Sequence, residues 1–379
     1  MEFMETVDEL LGKDAPEEYD LKRIMKGYYD RYAENCRKKL EESVYQEMLA
    51  DMPYENGEKS PIINYLKYKN ADTRRLGNKL TLFDCDGSNG SCDLSLDMYR
   101  VLWGWKGRKC PLPLSETHDR LRRVSFGPDT MNTAATSLNR FIGAQKRAEG
   151  CSEKSSVSRL YDKIVLDQDS KFFAEIGDSE ALAEELDGIF GSLLETSGMI
   201  GNLVLVPSGF NSWRGTALGD DWDRSLELLR EGGERLDKVL MADGAEMTKW
   251  DRDLFPEYVN LMFLWDYVQV NEGELSVLPL WNDARDDYRG FSEEAARRIR
   301  RRGIFMAGML KIAVGNSFGG TDFYYKIVDQ VLLGSSRVYS GYGEVLEEIS
   351  RLAERENASD EIDQILCEIR AKLNGNQNC

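Results

Sequence analysis

Histidine is nearly absent from this chain: His118 is the only one in 379 residues. A His-based triad or a histidine-ligated zinc site therefore has almost nothing to draw on. Positive charge is also short, with 49 Lys and Arg against 67 Asp and Glu, a formal net charge of −18. Such a balance opposes broad nucleic-acid binding, which relies on Lys and Arg against phosphates. No apolar run approaches the roughly 20 residues that span a bilayer, so no membrane association is expected. The longest, Tyr258 to Val270, contains Asp266 and reads as a buried helix. The acidic start, M-E-F-M-E-T-V-D-E-L-L, lacks the basic segment of a secretory signal. The seven cysteines (Cys36, Cys85, Cys92, Cys110, Cys151, Cys367, Cys379) are odd in number, irregularly spaced and without a C-x-x-C pair. They read mostly as small apolar side chains in a reducing cytoplasm.

What is present is helical periodicity. Residues 17–50 place Leu21, Ile24, Tyr28, Tyr32, Cys36, Leu40 and Val44 at spacings of three and four. Further helices are expected over 96–105, after Asp129 (Met131, Ala135, Leu138 and Ile142 inward), and over 179–195, 221–230 and 254–270. The 221–230 helix ends at Gly232 and Gly233. Ser292 is expected to cap the helix that follows it, with Glu293 and Glu294 in the first turn. The run Arg297, Arg298, Arg300, Arg301, Arg302 reads as a solvated helix face. A last helical pair is marked by Val345, Ile349 and Leu352, then by Ile362, Leu366, Ile369 and Leu373. Short strands are expected at 79–83 and 203–206, a loop at 106–113 and a polar linker at 150–156. The fold class is mainly α with a minor β component (α+β), a multi-helix single domain over 15–373, with a disordered tail at 374–379.

Three familiar motifs are imitated and each lacks an essential group. L-T-L-F-D-C-D-G-S, Leu80 to Ser88, resembles the first motif of haloacid-dehalogenase-like phosphatases. That chemistry needs a Lys between its later motifs, and none lies between Ser208 and Gly219. Read as an EF-hand from Asp84, the loop has Asn89 where Gly belongs and Ser95 where Glu belongs. I-G-N-L-V-L-V-P with a following Asn, Ile200 to Asn211, resembles HNH-type nucleases, but no His lies nearby. A degenerate HNH-like relative lacking the catalytic His is what remains of that reading.

The most informative stretch runs from Met199 to Arg230. A short strand stops at Pro207, a loop carries Asn211, Arg214 and Gly215, and Asp220, Asp221 and Asp223 open a helix. Upstream, G-P-D-T-M-N places Asp129 or Thr130 as a helix N-cap. Several segments together resemble a mostly bacterial family of domains of unknown function with the signature G-D-T-M-N-S-F, read here as Gly127 to Ala134. Also similar are L-W-G-W-K-G-R-K-C-P-L-P at 102–113, Gly201 to Gly215, 220–230, and Phe255 to Val268. The resemblance covers about 80–270, departs at Thr133, Ala134 and Asp221, and implies no established activity, cofactor or partner.

These residues suggest a pocket for a small anionic or nucleotide-like ligand, built from Asp129, Thr130, Asn132, Asn202, Asn211, Arg214 and Asp223. Arg214 would clamp an anion. The carboxylates would act as a base or as ligands for Mg²⁺; no nucleophile can be named. A competing expectation makes Arg214 a structural tie to Asp221 or Asp223. A second functional class is a non-catalytic protein-interaction or host-defence component, with Trp103, Trp105 and Trp213 as partner anchors.

Overall fold

The computed structural model describes residues 126–133, 180–196, 199–207, 221–234, 250–281, 287–314, 321–334 and 337–375. It also describes Tyr99, Leu102, Trp103, Val124, Ser137, Arg140, Phe141, Ala144, Gly209, Phe210, Asn211, Arg214, Leu236 and Asp237. The expected elements at 17–50, 79–83, 106–113 and 150–156 lie outside the described residues, as do His118, Trp105 and Trp213.

Helices dominate, as the periodicities predict. They are α1 (Glu180–Thr196), α2 (Trp222–Glu231), α3 (Phe255–Leu261), α4 (Tyr288–Val314), α5 (Thr321–Lys326), α6 (Tyr342–Arg355) and α7 (Asp360–Leu373). A π-helical turn, Ile327–Leu332, continues α5. Among the described residues, strands form two antiparallel pairs: β1 (Phe126–Thr130) with β2 (Leu203–Pro207), and β3 (Val268–Asn271) with β4 (Glu274–Val277).

The central element is α4, 27 residues long, or about 40 Å at 1.5 Å per residue. It packs against α1, α7, α5 and the 3-10 turn Ile200–Asn202 that leads into β2. Gly201 and Gly303 make that last approach possible, because a Cβ on Gly201 would fall 1.9 Å from the Ile299 carbonyl oxygen. One cluster of buried side chains extends from Tyr99 to Leu373. The last helical pair docks on it. Tyr342 donates to the Phe263 carbonyl at 3.1 Å and meets Trp265 edge-on, with ring centroids 5.3 Å apart.

Several local expectations are corrected. Asp129 and Thr130 do not cap a helix; they end β1, opposite Val204 and Leu203. Pairing with a fully buried L-V-L-V-P strand outweighs the capping preference of Asp and Thr. Among the described residues, helical geometry follows at Ser137, Arg140, Phe141 and Ala144.

The apolar stretch 254–270 is not one helix or two. It stops at Leu261, turns at Phe263 (φ 54°) and becomes β3 at Val268. Leu264 N–H donates back to the Val259 carbonyl at 2.9 Å, the closing bond of a Schellman turn. A phenylalanine adopts this left-handed geometry uncommonly; here its ring is held between Trp265 and Phe305. The hairpin β3–β4 turns on Glu272 (φ 51°) and Gly273 (φ 86°), the double positive φ of a type I′ turn.

Ser292 is not a cap. It lies inside α4, fully buried, and accepts from the Leu193 N–H at 3.2 Å. Asp287 caps instead, accepting from the Gly290 N–H at 2.8 Å. The arginine run is not a uniformly solvated face either, since Arg298 and Arg302 are buried. Finally, Cys367 is disulfide-bonded rather than a free thiol. Its partner lies outside the described residues, because Cys367 is the only cysteine among them.

Candidate functional site

The site begins with the β1–β2 pair. All five residues of β2 are buried, and among the described residues β1 is the strand that pairs with it. Buried backbone carbonyls need partners, and side chains supply several of them here. Tyr99 donates to the Leu203 carbonyl at 2.8 Å, and Tyr258 to that of Leu205 at 2.7 Å. Arg302 Nη1 reaches the Gly201 and Leu203 carbonyls at 2.8 and 2.6 Å, while its Nε reaches that of Met262 at 2.7 Å. Its Nη2 donates to the Tyr99 hydroxyl. Burial pushes the Tyr99 and Tyr258 hydroxyls above their ordinary value; Arg302 partly opposes this at both.

Beyond the last strand pair, the side chain of Asn202 imitates a further peptide unit. The Met131 N–H donates to the Asn202 carbonyl at 2.8 Å. Then the Asn132 N–H donates to Asn202 Oδ1, and Asn202 Nδ2 donates to the Asn132 carbonyl, both at 3.1 Å. Asn132 is thus fixed by its backbone, and its side chain is free of that duty.

Arg214 enters this strand end from the segment after β2. Its Nε lies 2.7 Å from Asp129 Oδ2, with both side chains almost wholly buried. Its Nη2 donates to the Thr130 carbonyl, and both terminal nitrogens lie 3.2 Å from that of Met131. Nη1 also lies 3.4 Å from Ser225 Oγ. The guanidinium sits over the Trp222 ring, 5.3 Å from its centroid. All its nitrogens therefore face protein acceptors. The expected tie exists, but its carboxylate is Asp129 and not Asp221 or Asp223.

Those two aspartates serve other partners. Asp221 accepts from Arg140 at 2.7 Å and from the Trp281 indole at 3.4 Å. Asp223 accepts from the Leu280 and Arg224 N–H groups, each at 2.9 Å. Burial raises the Asp223 carboxyl above its usual value; the Leu280 N–H opposes this and neighbouring Asp221 adds to it. Among the described residues no group of three or more His, Cys, Asp and Glu could hold a metal ion.

The structure thus brings together Asp129, Thr130, Asn132, Asn202 and Arg214. Asp223 instead anchors the chain leaving the β3–β4 hairpin. Asn211 is half-buried and helical, three residues before Arg214. Sequence reasoning gave no site role to Trp222 and Ser225, although both lie in the 220–230 segment, nor to Arg140 and Arg302. Trp103, expected as an exposed anchor, is buried and donates to the Leu261 carbonyl at 3.4 Å.

One pair of polar atoms stands out. Asn132 is 1% exposed, and among the described residues neither its Nδ2 nor its Oδ1 has a hydrogen-bond partner. No family model, no curated protein and no solved structure matches the chain.

Proposed function

We propose that this chain binds a small polar ligand where β1 ends, against the side chain of Asn132, on a scaffold made by Asp129, Arg214 and Asn202. The observation that carries the reading is the buried, unpartnered Asn132 amide. Folded interiors pair the large majority of such groups, and leaving one unpaired costs about 1–3 kcal/mol. Arg214 is scaffold in this reading and not an anion clamp, because its nitrogens already face Asp129, Thr130, Met131 and Ser225.

The test is thermal denaturation of the full chain with nucleotides and other small polar metabolites. A ligand at 100 times its Kd stabilises by ~2.7 kcal/mol, an easily measured rise in Tm. Asn132→Leu, of similar size and without polar atoms, is expected to abolish that rise while melting near the wild-type temperature. A shift of equal size in Asn132→Leu would place the ligand elsewhere.

A further inference from the structure

A second open group borders the same guanidinium. Trp222 is fully buried, its ring lies beneath Arg214, and its indole N–H has no partner among the described residues. Asn132 follows Met131, whose carbonyl Arg214 grips. The surroundings of Arg214 therefore offer an amide, which presents a donor and an acceptor side by side, and a further ring N–H donor. Charge restricts what can meet them. Arg214 is matched by Asp129. A phosphate placed here would be a buried anion without its own counter-ion, and burying an unpaired charge is strongly unfavourable.

We infer that the group recognised at Asn132 is the uncharged donor–acceptor edge of a nucleobase, not a phosphate. This rests on the ligand-binding reading above. A carboxamide meets such an edge through two parallel hydrogen bonds, as Asn and Gln meet adenine.

Calorimetric titration of the full chain with the four ribonucleosides, and separately with inorganic pyrophosphate and ribose 5-phosphate, decides it. The expected result is binding of at least one nucleoside and of neither phosphate probe. Asn132→Asp, which replaces the donor by an acceptor, is expected to weaken that nucleoside by about tenfold or more. Binding of pyrophosphate or ribose 5-phosphate without any nucleoside would overturn the inference and leave the ligand site standing. Binding of no probe, with Asn132→Leu melting at or above the wild-type temperature, would remove both and leave Asn132 a structural group. The wild-type titrations decide even where a variant does not fold.

Discussion

At the scale of single residues, two buried arginines do most of the joining. Arg214→Ala would strand Asp129 in the interior and leave the Thr130 and Met131 carbonyls short of a donor. Loss of one partner of a buried pair costs about 3–5 kcal/mol, so the urea midpoint is expected to fall far. Arg214→Lys is expected to recover only part, because an ammonium cannot spread its donors over Asp129, Thr130 and Ser225 at once. A change below ~1 kcal/mol, the range of an exposed pair, would contradict the buried geometry. Glu294 carries a pH signature. Hydrogen bonding from Arg297 and then Arg298 outweighs burial and lowers its carboxyl from 4.5 to about 2. A lowered folded-state value means the contribution is present above 4.5 and is lost as the pH falls through about 2. In Glu294→Gln, the fall in stability across that acid window is expected to be shallower, as followed by urea titrations at stepped pH. Little of this was legible in the sequence. Asp129, Asn202 and Arg214 stood out by their loop context, but the choice of Asp129 over Asp221 depends on where two strands meet. Arg302 looked like its neighbours in a basic run, and only the fold shows which of them faces the core.

At the scale of elements, the amphipathic helices were legible and the switches between helix and strand were not. Helices α2, α6 and α7 keep one apolar face and give way to Gly232, Asn357 and Gly375, each at positive φ. The stretch after Leu261 stays apolar throughout, so periodicity cannot separate its turn, 3-10 segment and strand. Its hairpin did carry a signal, the alternation V-Q-V-N followed by E-G, which the apolar run before it hides. Asp129 and Thr130 joined a strand because β2 needed a partner, a tertiary reason invisible in G-P-D-T. The tightest contact between elements predicts its own test. At Gly201 an added methyl would meet the backbone of Ile299 and Gly303, whereas at Gly127 it would meet nothing within 4 Å. Gly201→Ala is expected to lower stability by about 1–3 kcal/mol or more, and Gly127→Ala to leave Tm nearly unchanged. Equal melting of the two variants would mean that α4 does not press on this turn.

At the scale of the whole molecule, the mainly helical class followed from composition and periodicity alone, and the single buried cluster explains why the C-terminal pair belongs to it. The expectation of reduced thiols did not extend to Cys367, because cysteine spacing says nothing about which thiols the fold brings together. Non-reducing peptide mapping is expected to show a Cys367 peptide cross-linked to one carrying another of the seven cysteines. Reduction is expected to lower stability by about 2–5 kcal/mol, the usual contribution of such a bond. A Cys367 peptide recovered only as the free thiol would contradict the bonded state.

The reach of Arg302 has a consequence for synthesis. Its side chain meets Tyr99, 203 residues earlier, and the carbonyls of Gly201 and Leu203, about 100 residues earlier. At roughly 5–20 residues per second, several seconds or more separate the translation of Tyr99 from that of its partner. From the synthesis of β2 to that of Arg302, about 5–20 s at this rate, β2 lacks the guanidinium that holds the Gly201 and Leu203 carbonyls. A nascent chain stalled before residue 302 is expected to stay protease-sensitive around β2 and to bind holdase chaperones, and one stalled well past α4 to resist cleavage there.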